Sequence, residues 1–322
     1  MKRIARLALA GCLLFGPTSL VTAQTSDYPS RNIEIVVSYA PGGSTDLVAR
    51  TLAERLQQRL GQSVIVLNKP GGGGTIGMQH VQRAKPDGHT LFLGFTAEAV
   101  ITPQVSKAAK YSIVDDFEPI AVTGIVPVVL IGSKNLKSTN LKGLLAELKS
   151  NPGKYTYTGS VGSPSHVMGG WLNELKDLDV PHIPFRGGAQ SVNAVLGAHA
   201  DMFYAGVAPA LSAIGSNGVK AYAVTGVKRS TALPDVPTFK EAGVPEFELL
   251  SWNVFLAPKG TPKAIVERLR KETLAALDEP KVQKVLLNSG VEMPHTQDVE
   301  AFLRRENDNY GKAIRAIGIS TD

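Results

Sequence analysis

A chain of 322 residues is long enough for two ordinary domains. Its single cysteine, Cys12, excludes a disulfide scaffold and a thiolate metal site. With 34 Lys and Arg against 28 Asp and Glu the net charge is +6, which suits small anions but is too diffuse to mark a nucleic-acid partner. The first elements account for half of that excess. Met1-Lys2-Arg3-Ile4-Ala5-Arg6 is basic, Leu7 to Gly16 is apolar, and Val21-Thr22-Ala23 ends in small residues. These are the three parts of a secretory signal peptide, with cleavage expected after Ala23. Cleavage removes Cys12 together with Lys2, Arg3 and Arg6. Leu9-Ala10-Gly11-Cys12 also has the form of a lipoprotein box, but little apolar sequence precedes Cys12 and the apolar stretch runs on past it, so a lipid anchor is not expected. No later apolar run approaches the ~20 residues of a membrane-spanning helix, and the exported protein is expected to be soluble.

Past the leader, Ile33, Ile35, Val36 and Val37 read as a strand that stops in Ser38-Tyr39-Ala40-Pro41-Gly42-Gly43-Ser44-Thr45-Asp46. A helix follows from Thr45 to Leu60, with Val48, Leu52, Leu56 and Leu60 recurring on one face and Gly61 ending it. The first N–H groups of such a helix lack internal partners and lie at the positive end of its dipole, an arrangement suited to an anion. A plain strand-to-helix connection has the same sequence signals. Ser63 to Leu67 is expected as a short buried strand, Gly71 to Gly74 as a second turn, and Ile76, Met78 and Val81 as one face of a second helix. Thr90 to Gly94, after the turn Pro86 to His89, is the third strand. The β-α-β-α-β alternation predicts a parallel sheet with ligands at the carboxyl ends of its strands.

Tyr111 to Pro119 is polar and turn-like. Ile120 to Ile131 is a long apolar run broken by Gly124 and Pro127, the pattern of a crossover between two domains or of a bulged core strand. A helix near Leu141 to Leu148, a stop at Asn151-Pro152-Gly153 and a strand at Lys154 to Thr158 begin a second βα series. Its turn, Gly159-Ser160-Val161-Gly162-Ser163, leads into a helix holding His166, Met168, Trp171, Leu172 and Leu175. Val180 to Phe185 is a strand, Arg186-Gly187-Gly188-Ala189 a loop, and a helix to Leu196 and a strand at Asp201 to Tyr204 follow. Val219 to Thr225 is a candidate return crossover. Leu233 to Thr238 is a proline-fixed loop, Trp252 to Ala257 a strand, and helices over Pro262 to Leu277 and Gln297 to Ile317 close the chain. The sequence has no repeat of fixed period.

Eight stretches occur in a fixed order: Pro41-Gly42-Gly43-Ser44-Thr45-Asp46, Asn68-Lys69-Pro70-Gly71-Gly72-Gly73-Gly74-Thr75-Ile76-Gly77, Pro86-Asp87-Gly88-His89-Thr90-Leu91, Asp116-Phe117-Glu118-Pro119-Ile120-Ala121, Phe185-Arg186-Gly187-Gly188-Ala189-Gln190, Ala223-Val224-Thr225-Gly226, Leu233-Pro234-Asp235-Val236-Pro237-Thr238 and Ala257-Pro258-Lys259-Gly260-Thr261-Pro262. In them the sequence resembles the extracytoplasmic solute receptors of tripartite tricarboxylate transporters, the Bug receptor family, over essentially all of the exported chain. The resemblance implies a periplasmic α/β binding protein of the Venus-flytrap kind, type II-like, with mixed, mainly parallel sheets and two crossover connections. With the two candidate crossovers, the lobes are expected at 24–125 with 227–322 and at 126–226. It implies no enzymatic activity, no cofactor and no metal. The expected ligand is a small carboxylate (a dicarboxylate, acidic amino acid or aromatic acid), and the expected partners are permease subunits of the transporter, with the receptor itself a monomer. Family contacts carried onto this chain are Tyr39, Gly43, Ser44, Thr45 and Thr96 from one lobe and Ser160, Ser163, His166, Arg186, Gly188 and Asp201 from the other.

The chemistry of these residues agrees with that assignment. A helix N-terminus from each lobe binds a carboxylate through N–H groups without a formal cation. The planar fork of Arg186 can grip a carboxylate through two bonds, although a solvated loop cation has the same sequence appearance. Asp46 repels an anion, so a capping or loop-bracing role is expected of it. Phe95-Thr96-Ala97-Glu98 departs from the small, polar residues of relatives and is expected to bring bulk and negative charge near the ligand. Gly72-x-Gly74-x-x-Gly77, with Glu98 some twenty residues on, formally fits a dinucleotide fingerprint and makes an exported NAD-dependent oxidoreductase the rival reading. Asn68-Lys69-Pro70 between strand and glycines argues against it. A hydrolase lacks its Gly-x-Ser-x-Gly elbow and His-Glu-x-x-His, and the six histidines have no metal-ligand spacing. The same receptor fold serving a signalling partner stays open.

Overall fold

The structure, a computed structural model, describes residues 28–294, 296 and 298–321. The expected signal peptide lies outside the described residues. Strand β1 (Ile33–Val37) is buried at all positions but Glu34, as befits β-branched residues covered on both faces. Helix α1 (Ser44–Leu60) buries Val48, Leu52, Leu56 and Leu60, the face read from the sequence. Strand β2 (Val64–Asn68) pairs only with β1 and is half-exposed, so the expectation of a buried strand is corrected. Helix α2 (Thr75–Gln82), β3 (Thr90–Phe95), a π-helical turn over Ala97–Ile101 and the short helix α3 (Thr102–Val105) follow. Strand β4 (Phe117–Ile125) completes the first half.

The second half holds β5 (Val128–Gly132), α4 (Leu141–Lys149), β6 (Tyr157–Gly159), α5 (Pro164–Lys176), β7 (His182–Pro184), α6 (Gly188–Leu196), β8 (Met202–Gly206), α7 (Val207–Leu211) and β9 (Lys220–Val224). The chain then returns through β10 (Trp252–Pro258), α8 (Lys263–Leu277), α9 (Pro280–Asn288) and α10 (Val299–Ile317). One sheet has the order β2-β1-β3-β10-β4 and the other β7-β6-β8-β5-β9. In each, a single strand runs against the rest: β10 in the first and β5 in the second. Each reversed strand is the one that arrives from the other sheet, so the two crossings explain the mixed topology.

The crossings lie side by side. Val126-Pro127 leads from β4 to β5, and residues 225–251 lead back from β9 to β10. The backbone N–H of Val126 donates to Ser251 O at 2.7 Å, that of Val128 to Thr225 Oγ1 at 3.1 Å, and that of Thr225 to Val128 O at 2.8 Å. The long apolar run at Ile120 to Ile131 is thus two strands of different sheets. Helix α10 does not stay with the first sheet. It packs on the π-helical turn and β4, and also on α5 beside the second sheet, where Ile317 sits against Gly170. The largest apolar cluster accordingly runs from Val36 and Phe92 through Trp252 and Phe302 to Tyr157 and Trp171.

Candidate functional site

Loops at the carboxyl ends of β1, β2, β3 and β6 converge on a cleft of about 880 Å³. Its wall on the first sheet begins at Ser38, Tyr39 and Ala40 and continues through Gly43, Ser44 and Thr45. Gly43 is the N-cap of α1 and offers no side-chain acceptor, so the first N–H groups of that helix are left without a side-chain cap. Asp46, three residues on from this N-cap, is buried and braces the turn from behind. Its Oδ2 accepts from Gly42 N at 3.0 Å and Arg50 Nε at 2.9 Å, and its Oδ1 from Asn68 Nδ2 at 2.8 Å. Burial pushes its pKa up, but the bonds from Arg50, Gly42 and Asn68 outweigh that and hold it below the usual carboxylate value.

Pro70 and the run Gly71 to Gly74 form the next part of the wall. All four glycines have left-handed φ, from +58° to +126°, a sequence of conformations that only glycine adopts without strain. Thr102 Oγ1 donates to Gly73 O at 2.9 Å and Ser38 Oγ to Gly74 O at 3.1 Å, which fixes the run against its neighbours. A Cβ on Gly74 would lie 2.3 Å from Glu98 Cβ. Glu98 therefore does not project charge into the cleft as the sequence led us to expect. It is fully buried on the π-helical turn, accepting from Phe95 N at 2.8 Å and from the Tyr39 hydroxyl at 2.5 Å. Burial raises its pKa to about 7, opposed by the bonds from Tyr39 and Phe95. Its burial also removes it as the ribose partner that a dinucleotide site requires. Thr96 is a second correction. It is buried, with Oγ1 accepting from Trp252 N at 2.7 Å and donating to Trp252 O at 3.2 Å, and it does not line the cleft.

The opposite wall is Ser160 to Pro164. Ser160 Oγ donates to Phe185 O at 3.0 Å, which leaves its lone pairs for the cleft. Ser163 is the N-cap of α5, its Oγ accepting from His166 N at 3.4 Å, so its own proton is uncommitted in this bond. His166 supports this turn from behind. Its Nδ1 accepts from Gly162 N at 3.2 Å, and its ring stacks on His182 at 3.9 Å, while His182 Nε2 donates to Gly159 O at 3.0 Å. Burial, with the neighbouring His182, lowers the His166 pKa to about 4, so the ring is neutral near pH 7.

Three further expected contacts lie outside the cleft lining. Arg186 and Gly188 are exposed in the loop after β7 and the start of α6, beside the Ser160 turn. Asp201 precedes β8 and so occupies the amino end of a strand whose carboxyl end faces the cleft. There it accepts from Thr156 N at 2.9 Å and Asn135 Nδ2 at 3.0 Å, a brace far from the ligand turns. Phe95 lines the cleft, the bulk expected near the ligand, and the structure adds Ala97, Val105 and Ala108 to the wall, with Thr321 beyond α10. Thr321 N donates to Val105 O at 2.9 Å, and its methyl group sits against Gly162. Among the described residues the lining contains no Asp, Glu, Lys or Arg. Among the described residues no three His, Cys, Asp or Glu side chains are grouped to hold a metal, and no helix is long and apolar enough to cross a membrane.

A cleft between two α/β layers joined by paired crossings, lined by helix N-terminal and hydroxyl groups, is the build of a periplasmic solute-binding protein. The family described as "Tripartite tricarboxylate transporter family receptor" matches residues 48–319, and the chain belongs to it. The solved periplasmic binding protein BugD is 35% identical, with a TM-score of 0.73, covering 91% of this chain and 99% of its own. Rpa4515 of R. palustris, solved with adipate, is 28% identical with a TM-score of 0.77, covering 91% of this chain and 99% of its own. MatC of Rhodopseudomonas palustris, solved with bound malate, is 29% identical with a TM-score of 0.74, covering 89% of this chain and all of its own. The family and the two-lobed fold expected from the sequence are borne out.

Proposed function

We propose that this receptor captures a small carboxylate between its two lobes and presents it, in a closed form, to membrane permease subunits of a tripartite tricarboxylate transporter. The observation that carries the reading is the uncapped start of α1 at Gly43 to Thr45, facing a cleft with no charged side chain among the described residues. Such a site holds an anion by N–H groups and dipole. Tyr39, Gly43, Ser44 and Thr45 contact the ligand from one side and Ser160 and Ser163 from the other. Arg186 and Gly188 reach it on closure, about the paired crossings, of lobes at 24–125 with 227–322 and at 126–226. The malate and adipate held by two relatives support the ligand class. In this reading the protein is exported, its signal peptide cleaved after Ala23, acts as a monomer and catalyses nothing.

A thermal-shift screen of malate, adipate, citrate, glutamate, benzoate and NAD tests it. An acid at 100 times its dissociation constant adds about 2.7 kcal/mol of stability. Small-angle scattering with that acid is expected to show compaction. Stabilisation by NAD and by none of the acids would overturn the proposal.

A further inference from the structure

Beneath the cleft floor lies a carboxyl group that ligand contact alone does not require. Glu98 is fully buried, one oxygen accepting from Phe95 N and the other from the hydroxyl of Tyr39, a residue that lines the cleft. The phenol has one proton, and here it points down at Glu98. A carboxylate only accepts, so while Glu98 is ionised Tyr39 cannot turn its proton toward a ligand. Once Glu98 carries a proton on that oxygen, it donates to the phenol oxygen and the Tyr39 proton is released toward the cleft. An anion in the cleft gains a donor and loses a buried like charge by this exchange.

We propose that Glu98, acting through Tyr39, couples carboxylate capture to the uptake of one proton, making it a positioning residue for the ligand. The inference rests on the carboxylate reading above. The groups around Glu98 leave the proton as the natural counter-charge. Tyr39 faces it from the β1–α1 loop, and Tyr111, after α3, donates to its backbone carbonyl at 2.7 Å. The glycine run and Gly94 of β3 press on it without a titratable group. Glu306 of α10 is turned to Trp252 instead, and among the described residues no Lys, Arg or His acts on Glu98. Its pKa of about 7 places the exchange within reach of ordinary pH.

The test is calorimetric titration of malate and adipate at pH 6 and pH 8, in Hepes and Tris, whose different ionisation heats reveal proton uptake. Expected at pH 8 is uptake of half to one proton per bound acid, with affinity falling toward about tenfold per pH unit above 7. Glu98→Gln keeps an acceptor for Phe95 N and a donor for the Tyr39 oxygen, so it mimics the protonated state. It is expected to bind with similar affinity at both pH values and without proton uptake, and Tyr39→Phe to bind more weakly and also without uptake. Binding by the wild-type protein at pH 8 with no proton uptake overturns the coupling and leaves the carboxylate reading intact. Absence of binding at pH 6 by every acid of the screen overturns both.

Discussion

The two turns that face each other across the cleft are held by opposite means. On the side of β1 the supports are ionisable and dense: Asp46 gathers Gly42, Arg50 and Asn68, and Glu98 gathers Tyr39 and Phe95. On the side of β6 they are neutral: a serine cap, a hydroxyl-to-carbonyl bond and two stacked imidazoles. The acidic braces of the second lobe, Glu147 and Asp201, lie away from the cleft lining. Electrostatics accounts for the division. An anion site tolerates a buried acid beneath one wall if that acid is paired or can take a proton, and the other wall then meets the anion with neutral groups. The first turn is therefore preformed and tightly packed, and the second lighter.

The largest expected effect breaks the packed side. At Gly74, φ is +94° and an added Cβ meets Glu98 Cβ at 2.3 Å, so Gly74→Ala combines backbone strain with a core clash. A loss of roughly 4 kcal/mol is expected, enough to leave a marginal protein largely unfolded. Gly162→Ala on the opposite turn has φ +71° but meets only a Thr321 methyl group at 3.0 Å, and about 1 kcal/mol is expected. Urea unfolding of both variants measures the difference. Equal losses would mean that the two turns are equally packed.

Next in size is the alkaline response of the first wall. Glu98 in the unfolded chain loses its proton near pH 4.5, and in the folded protein it keeps it to about 7. Stability is thus complete below 4.5 and declines as pH rises through 7. Glu98→Gln has no such decline, so at pH 8 it is expected to be the more stable protein by up to about 3 kcal/mol, with little difference at pH 4. Denaturation curves at the two pH values decide it, and a variant less stable than wild type at pH 8 would show that the ionised carboxylate is a net support.

What was legible in the sequence follows the same division. Both cleft turns could be read because strand, glycine or serine turn, and helix start are adjacent in the chain. The crossing at Val126-Pro127 was legible as a broken apolar run. The fate of side chains just past a strand was not. Thr96 is drawn to Trp252, 156 residues away, and Glu98 is turned inward by a π-helical insertion that no periodicity announces. Asp201 misled because a residue before a strand sits at the opposite end from one after it, and only the parallel pairing of β6 and β8 fixes which end faces the cleft. Helix α9 carried a signal that went unused, with Pro280 at its first position and Val282 and Leu286 four apart on its buried face. Thr321 had none, since its place depends on where α10 ends.

The smallest expected effect sharpens the contrast from the neutral side. His166 takes up a proton near pH 6.5 in the unfolded chain but only near 4 when folded, because burial and His182 disfavour the charged ring. Its contribution is complete above 6.5 and declines as pH falls through 4, the reverse of Glu98. His166→Phe keeps a ring for the stack but gives Gly162 N–H no acceptor, a loss of about 1 kcal/mol at pH 7. Part of the wild-type protein's acid sensitivity is expected to vanish with it, so that its melting temperature falls less than that of wild type between pH 7 and 4.5. An equal fall in both would detach the imidazole pair from the stability of the second turn. A smaller fall in the variant assigns the two walls opposite pH limits, with the cleft best preorganised between them, where Glu98 is still largely protonated and His166 already neutral.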